Sequence, residues 1–286
     1  MIKLLYKPSG ISSFKFITRF AKDNKIQKIG HTGTLDPLAR GLMLIATDDD
    51  TKLIEYIDKG EKEYIADFYF GKISTTYDIE GQISNYLGAK KVDKEALLLA
   101  LANLAVIQVQ KPPIFSAKKL NGVRAYSLAQ QQKNIELKDI PIKIFDWELL
   151  DFDYQNQSGK VRWVVSRGTY IRSLIHDLGF MLKSGAIMSG LERTKIAHLD
   201  KTFLDLEINP INLINKEIVK INFSELKKIF QGYKIPFFTS SGEKIIIYDG
   251  KIIGIGAIAN NVLFSSKLFG NKIKKIIYDV EHNEKN

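Results

Sequence analysis

The amino-acid sequence predicts an α+β fold, in which helices and strands are mixed without a regular β-α-β repeat. Three observations favour this class. Three segments place apolar residues at helical spacing, and several others show the alternation or the unbroken apolar runs of strands. From Phe237 onward, short apolar runs are separated by glycine turns. The 286 residues can form one large domain, with or without a small appendage.

Three helices are expected from the spacing of apolar residues. The first follows Ser12 and Ser13 and carries apolar residues about one turn apart, Phe16, Ile17 and Phe20. Asp93 can cap the second helix, whose buried face would carry four leucines, Leu97, Leu98, Leu101 and Leu104. The third helix is expected over residues 170–182.

Strands are expected where apolar residues alternate with polar ones or form short uninterrupted runs. Residues 64–70 alternate, and residues 161–166, which are rich in valine and tryptophan, are typical of a buried strand. Near the end of the chain, Asp249-Gly250 separates two isoleucine-rich runs, which is a strong signal for a β-hairpin.

The domain organisation follows from a change in composition along the chain. After Arg193 there is no further arginine, and isoleucine and lysine dominate. We therefore expect a large domain over residues 1–208, a linker over 209–233, and a small β-rich domain over 234–286.

The charge balance favours a polyanionic partner. The chain has 42 basic and 32 acidic residues, which gives a net charge of +10, and a basic surface attracts phosphate-bearing ligands. A lysine-rich composition without functional meaning is the alternative, because only seven of the basic residues are arginine.

Several classes of site are disfavoured. The chain has no cysteine, which excludes disulfides, thiolate metal sites and thiol nucleophiles. No metal is implied, because metal-ligand spacing is absent among the four histidines, His31, His176, His198 and His282. The N-terminal segment lacks the apolar core of a signal peptide, and the most apolar stretch, residues 96–109, is shorter than the ~20 residues that span a bilayer. We expect a soluble cytoplasmic protein without membrane contact.

The most unusual stretch of the chain is GHTGTLDP, residues 30–37. Pro37 restricts Asp36 to extended backbone angles, and the glycines let a ligand approach the backbone, so the loop can hold a carboxylate in a fixed pose. A plain structural turn uses the same residue types, and the residues themselves leave both interpretations open.

A P-loop is disfavoured because its Gly-Lys-Ser/Thr ending is missing. A phosphoaspartate loop is disfavoured because its aspartate precedes the threonine.

Motifs through the first two hundred residues resemble, in order, those of the bacterial tRNA pseudouridine synthase B family, which converts the T-loop uridine at tRNA position 55 to pseudouridine. The matching stretches are KPSGISS (7–13), GHTGTLDPLA (30–39) with Gly41-Leu42, Thr51-Lys52, KEY (62–64), Gly71 with Thr76, Asp78 and Gly81, PPIFSA (112–117) with Lys119, Gly122, Ala125 and Tyr126, RGTYIRSL (167–174) with Asp177-Leu178-Gly179, and LERT (191–194).

This resemblance implies the pseudouridine synthase catalytic fold, with a mixed or antiparallel central sheet, over residues 1–208. The segment from residue 234 onward resembles a reduced PUA-like RNA-binding domain. The implied partner is tRNA, bound through its T-arm stem-loop. No cofactor, metal or nucleotide is implied, and a monomer is expected.

The resemblance also implies the roles of individual residues. Asp36 would be the essential carboxylate, acting as a nucleophile at the sugar or base or relaying protons around a detached uracil. Tyr64 would stack on the flipped uracil, and Arg172 would pair with Asp36 and keep it ionised. Further substrate-binding roles fall to His31 against the RNA, Tyr170 and Leu191 at the pocket wall, and Lys7 at the active-site loop or a phosphate.

Residues 116–141 resemble an inserted segment with which the family grips the T-arm. The segment is basic with an interleaved aromatic residue, and its expected contacts are Lys118, Lys119, Arg124 and Tyr126. A solvated loop is the alternative. The chain departs from the family pattern at Ile140, Glu192, Ala197 and Ser74-Thr75, where arginine, arginine, glycine and Thr-Asp are usual.

Two functions of other classes compete with this one. A non-catalytic RNA-binding protein on the same fold would not need Asp36, Tyr64 and Arg172 together. A phosphotransferase would need a nucleotide site, which the sequence does not show.

Overall fold

The computed structural model describes residues 1–57, 60–114, 119–120, 123–124 and 138–283. Its α-helices are α1 (Ser13–Asp23), α2 (Lys94–Ala105), α3 (Ile171–Met181), α4 (Phe223–Phe230) and α5 (Gly270–Asn283). Its strands are β1 (Ile2–Lys7), β2 (Ile29–His31), β3 (Arg40–Thr47), β4 (Lys62–Phe70), β5 (Lys72–Ser74), β6 (Ile83–Asn85), β7 (Val109–Gln110), β8 (Lys119–Leu120), β9 (Val123–Arg124), β10 (Ile140–Pro141), β11 (Ile144–Asp153), β12 (Ser158–Val165), β13 (Ala186–Ile196), β14 (Ile218–Lys220), β15 (Ile235–Pro236), β16 (Gly242–Tyr248), β17 (Lys251–Ala259) and β18 (Val262–Leu268).

A mixed sheet forms the centre of the first two hundred residues. Its strand order is β1-β3-β13-β4-β12-β11, and β2 pairs with β3. The pairing of β13 with β3 is parallel, whereas the neighbouring pairs are antiparallel. The predicted α+β class with a mixed central sheet is confirmed.

The three predicted helices are present as α1, α2 and α3, and their caps explain where two of them begin. The side chain of Ser12 accepts a hydrogen bond from Lys15 N at the start of α1, and Asp93 accepts one from Ala96 N at the start of α2. One detail was wrong, because Leu98 is 38% exposed. At 100° per residue it lies outside the stripe that packs on the sheet, which consists of Leu97, Ala100, Leu101 and Leu104.

Alternate residues of the central sheet enter two different cores. On β3, Met43 and Ile45 face the core that the sheet shares with α1, α2 and α3. Leu42 and Leu44 face a second core, which also contains Ile245 and Ile255 of the C-terminal strands. The central sheet is therefore covered on one face by helices and on the other by the C-terminal part of the chain.

The C-terminal strands form a second sheet in the order β14-β16-β17-β18-β15. The predicted hairpin is confirmed: Tyr248 pairs with Lys251, and Asp249 and Gly250 both have positive φ, at 46° and 70°, as a two-residue type I′ turn requires. The outer face of this sheet is covered by α4 and α5.

The stretch expected as a linker, residues 209–233, contains β14, which belongs to the second sheet, and α4, which packs on its outer face. Alternation explains why: Val219 is buried between exposed neighbours on β14, and Leu226 and Ile229 form the buried face of α4. The boundaries of the two domains and the PUA-like character of the second stay predictions.

Charged contacts attach the segment that follows β3 to α5. Asp49 accepts a hydrogen bond of 3.0 Å from Lys272 N in the first turn of α5, and Asp50 pairs with Lys272 Nζ at 2.7 Å. Across the described ranges, no helix combines the length and the apolar character that crossing a membrane requires.

Candidate active site

The loop that carries Asp36 is tied to the segment after β1. Lys7 is fully buried, and its Nζ donates to Pro8 O at 2.9 Å, Ile11 O at 2.7 Å and Pro37 O at 3.4 Å. Lys7 therefore supports the loop from inside. Three backbone carbonyls surround its ammonium group, which leaves no exposed surface for a phosphate.

Serines reinforce this attachment on either side of Asp36. Ser13 Oγ donates to Leu35 O at 2.7 Å and accepts from Leu35 N at 2.8 Å. Ser9 Oγ donates to Leu38 O at 2.7 Å. Because neighbours of Asp36 on both sides are fixed by side chains of another segment, the position of its carboxylate is set by more than the local turn.

Arg193 on β13 fixes the loop from below. It is 1% exposed, and it donates from Nε to Leu42 O at 2.6 Å and from Nη2 to Gly33 O at 3.1 Å. Its Nη1 is buried without a hydrogen-bond partner among the described residues. Arg193 thus places an extra positive charge beneath the loop.

The carboxylate of Asp36 is paired with a buried arginine from α3. Arg172 Nε lies 3.0 Å from Asp36 Oδ2, and Arg172 Nη1 lies 3.3 Å from Oδ2 of Asp78. The arginine side chain is 7% exposed and that of Asp78 is 2% exposed, whereas that of Asp36 is 35% exposed. The predicted pairing of Asp36 with Arg172 is present, and the open member of the triad is Asp36.

Asp78 is held firmly in its turn. Its Oδ1 accepts from Thr76 Oγ1 at 2.5 Å and from Glu80 N at 3.0 Å. Arg172 Nη1 also donates to Thr76 O at 3.0 Å. The turn between β5 and β6 therefore fixes the guanidinium, and the guanidinium in turn fixes Asp36.

The electrostatics of Asp36 differ from the expectation. Burial raises the pKa of Asp36, and the neighbouring Asp78 acts in the same direction, while Arg172 and Lys7 lower it. The net shift is upward, so the pairing with Arg172 only partly offsets desolvation. The sequence-based expectation considered the arginine alone. A carboxylate with a raised pKa is a better proton acceptor than an ordinary aspartate, which suits acid-base chemistry.

The pKa values of Lys7 and His31 are also shifted by burial. Burial lowers the pKa of Lys7 to about 8, with Arg193 acting in the same direction and Asp36 opposing it. Burial also lowers the pKa of His31, again with a contribution from Arg193. His31 lies half-buried on β2, and its Nδ1 has no hydrogen-bond partner among the described residues.

Two residues of the predicted pocket wall lie in the apolar core that also contains Leu35. Tyr64 of β4 and Leu191 of β13 are each 8% exposed and belong to the same core as Leu35, the residue before Asp36. Tyr170 directly precedes α3, and its backbone N–H and C=O pair with the side-chain amide of Gln110 at 2.8 and 3.0 Å. The strand that carries Leu191 and the helix that follows Tyr170 contact the loop through Arg193 and Arg172.

The inserted segment is described only in part. Lys118 and Tyr126 lie outside the described residues, and of Lys119 and Arg124 only the backbone is described, in the short pair β8 and β9. The expected grip on the T-arm stays a prediction.

Sequence reasoning assigned no role to Asp78, Arg193, Ser13 or Gln110. Asp78 and Arg193 stand inside matching motifs, which was the available signal, but their partners lie 94 and 160 residues away along the chain. Among the departures from the family pattern, Glu192 accepts hydrogen bonds from Arg40 Nε and Tyr6 OH, both at 2.9 Å. Ala197, in place of the usual glycine, has a φ of 52°.

Fold and site together define a class of protein: a mixed-sheet α+β protein in which a partly exposed carboxylate is held by a buried guanidinium at the edge of the core. A family model described as TruB family pseudouridylate synthase (N terminal domain) matches residues 21–171. The chain is also similar to two proteins named tRNA pseudouridine synthase B. The one from Mesomycoplasma hyopneumoniae (strain 232) is 50% identical over 97% of this chain and 85% of that protein. The one from Aquifex aeolicus (strain VF5) is 34% identical over 93% and 98%.

The chain belongs to the TruB family of pseudouridylate synthases, which makes it an isomerase. Two solved structures share the fold: an H/ACA RNP bound to a substrate RNA containing 2'-deoxyuridine, and a Cbf5-Nop10-Gar1 complex. Each has a TM-score of 0.62 at 19% sequence identity, covering 94% of this chain and 84% of the matched chain.

Proposed function

We propose that this chain converts the T-loop uridine at position 55 of tRNA to pseudouridine, with Asp36 as the essential carboxylate. The observation that carries the proposal is the placement of Asp36, which is partly open to solvent and held by the buried Arg172, on a loop whose Leu35 belongs to the same core as Tyr64 and Leu191. The name tRNA pseudouridine synthase B, borne by the relatives, supports tRNA as the substrate. The net charge of +10 supports a polyanionic partner.

The target base must leave the helix stack before it can react. Unstacking costs a few kcal/mol, and a closed pocket offsets this cost by replacing the lost stacking. Tyr64 supplies an aromatic face for the uracil, and Leu191 and Tyr170 close the pocket around it. His31 contacts the opened RNA loop by stacking or hydrogen bonding, and so replaces contacts that the RNA loses on opening.

The isomerisation breaks the bond between N1 and C1′, turns the uracil, and forms a bond between C5 and C1′. C5 loses its proton and N1 gains one, so the reaction needs no external redox partner. Asp36 acts in this reaction in one of two ways. It is a nucleophile that forms and then releases a covalent bond, or it is a proton acceptor and charge stabiliser for the detached uracil. Its raised pKa favours proton transfer from C5.

Arg172 and Lys7 have supporting roles in this proposal. Arg172 orients the carboxylate, and its charge, with that of Lys7, keeps part of the Asp36 population ionised against the effect of burial. The catalytic domain spans residues 1–208, and the segment 116–141 grips the T-arm. Neutralising Lys119 or Arg124 should weaken tRNA binding without changing which uridine reacts, because phosphate contacts set affinity.

Asp36→Asn tests the chemistry. An unmodified tRNA labelled with tritium at C5 of uridine reports the reaction directly, since the C5 proton is released. We expect no detectable release by Asp36→Asn, with tRNA binding within about tenfold of wild type, about 1.4 kcal/mol. Above the raised folded-state pKa, ionised Asp36 favours the unfolded chain, so the uncharged asparagine should not lower the melting temperature.

Asp67→Asn is the matched control, because Asp67 lies on β4 with its side chain 43% exposed, and it should retain wild-type activity. A tRNA with cytidine at position 55 should release no tritium above background. Wild-type protein that binds tRNA but never releases tritium, with or without added metal ions, would support a non-catalytic RNA-binding function instead. Normal release by Asp36→Asn would remove Asp36 from the mechanism.

A further inference from the structure

An aromatic stack lies directly behind the Asp36–Arg172–Asp78 triad. The rings of Tyr77 and His176 are stacked, with centroids 3.8 Å apart and planes inclined by 17°. Phe180 lies 4.5 Å from His176 with its ring tilted by 47°, and Tyr86 meets Phe180 edge-on at 5.5 Å. Tyr77 precedes Asp78, and His176 follows Arg172 by one helical turn on α3. The stack therefore joins the two elements that carry the charged partners of Asp36.

The backbone of Tyr77 is held in an unusual conformation. Its φ is 66°, in the left-handed region that a bulky residue rarely adopts. Such a conformation persists only where the surroundings enforce it. Here Met188 N donates to Tyr77 O and Ile79 N donates to Met188 O, at 3.0 and 3.1 Å. Both ends of the turn are thus attached to β13, and the ring is attached to α3.

The hydroxyl groups of the turn pack closely around Gly81. A Cβ atom on Gly81 would lie 2.3 Å from Thr76 Oγ1 and 2.5 Å from Ser74 Oγ, so a side chain at this position would displace Thr76, the residue that donates to Asp78. The turn therefore has little room to relax around Asp78.

The polar atoms of His176 do not explain its position. Its Nδ1 is buried without a hydrogen-bond partner among the described residues. Burial also lowers the pKa of His176 to about 4, so the ring is neutral at neutral pH. What His176 contributes is the face of its ring against Tyr77, and an uncharged ring of similar size should serve as well.

We propose that Tyr77 and His176 are positioning residues for catalysis: their stack sets the Asp78 turn against α3, so that Arg172 is aimed at Asp36. This inference rests on the proposed function. Neither residue touches the carboxylate of Asp36 or the apolar wall of the pocket in the contacts described above. Both act through Asp78 and Arg172.

Single-turnover measurements on the full chain with unmodified tRNA test the proposal. We expect His176→Ala and Tyr77→Ala to lower the rate constant of tritium release by about tenfold or more, because sub-ångström misplacement of a catalytic group is costly. Affinity for tRNA should stay within about twofold, since no phosphate contact is removed. His176→Phe and Tyr77→Phe, which keep the rings, should stay within about twofold in rate.

The pH profile supplies a readout that a purely structural role would not change. The charge of Arg172 lowers the pKa of Asp36, so a less well-aimed Arg172 should move the acid limb of the rate profile to higher pH in the two alanine variants. Leu226→Ala is the control for general destabilisation, because the side chain of Leu226 on α4 is fully buried. It should lower the melting temperature and leave both the rate constant and the acid limb unchanged.

A wild-type rate in His176→Ala would overturn the inference, as would a loss in His176→Phe equal to that in His176→Ala. An equal loss in Leu226→Ala would assign the effect to overall stability and would also overturn it. Inactive wild-type protein would instead refute the proposed function.

Discussion

Two buried lysines show how differently the two parts of the molecule are built. Lys7, beside the active-site loop, is 0% exposed and donates to three backbone carbonyls from two segments. Lys244, in the second sheet, is 2% exposed and pairs instead with the side chains of Glu217 and Ser240. The first lysine holds backbone in place inside the molecule, whereas the second neutralises a carboxylate that is 64% exposed at the rim of a sheet.

The same contrast holds for the regions around them. The Asp36 loop is fixed by buried polar side chains, namely Lys7, Ser13 and Arg193, and its neighbour Arg172 is fixed by Asp78. The second sheet is fixed by isoleucines on both faces and by a tight hairpin. Polar contacts are directional, so they can place a carboxylate accurately, whereas apolar burial is non-directional and mainly supplies stability. Substitutions in the two regions should therefore have separable consequences.

The largest effect is expected from Arg172→Met. Removing the guanidinium leaves Asp36 and Asp78 without their shared partner, and breaking a buried ion pair in this way costs about 3–5 kcal/mol of stability. The rate constant should fall by at least about 100-fold because Asp36 loses its orientation. Adding Asp78→Asn should restore part of the stability, measured by denaturant unfolding, and none of the rate. Full activity in the single variant would show that the loop alone positions the carboxylate.

The two lysines allow the comparison to be tested with one kind of substitution. Lys7→Met removes a donor from three carbonyls, of which Pro37 O keeps its hydrogen bond of 2.8 Å from Gly10 N. Each buried carbonyl that stays unsatisfied costs about 1–3 kcal/mol, and the rate constant should fall about tenfold as the loop shifts. Lys244→Met should lower the stability as well, because Glu217 and Ser240 lose their partner, but the rate constant should stay within about twofold. Equal rate losses in the two variants would contradict a division of labour between the regions.

The sequence predicted local features better than contacts between distant segments. The Asp249-Gly250 hairpin and the caps at Ser12 and Asp93 are local features, and all three are present. The pairing of Asp36 with Arg172 was expected from the family resemblance and is also present.

The partner on the other side of Arg172 was not expected, because Asp78 meets it only when the β5–β6 turn packs against α3. The net rise in the pKa of Asp36 was missed for a similar reason. It depends on how much solvent the folded chain removes, and a list of neighbouring charges does not give that quantity.

The pH dependence of the rate gives a more sensitive comparison. The pKa of Asp36 is raised by burial, so its ionised fraction, and with it the single-turnover rate, should fall as the pH drops through that raised value. Lys7 lowers the pKa of Asp36, so Lys7→Met should move this acid limb to higher pH. Lys244→Met should leave the limb where it is in wild type. A limb that moves to lower pH in Lys7→Met would mean that the lysine acts on Asp36 through the shape of the loop and not through its charge.

The smallest effect is expected from the hairpin of the second sheet. Gly250 has a φ of 70°, and an alanine there costs about 1 kcal/mol, so Gly250→Ala should lower the melting temperature by a few degrees and leave the rate unchanged. Ala197→Gly offers the opposite change at the end of β13, where a φ of 52° already strains an alanine, and it should raise the melting temperature. A slower reaction in Gly250→Ala would mean that the second sheet takes part in positioning Asp36. Strain at this hairpin turn can reach the carboxylate only through the core that the two sheets share.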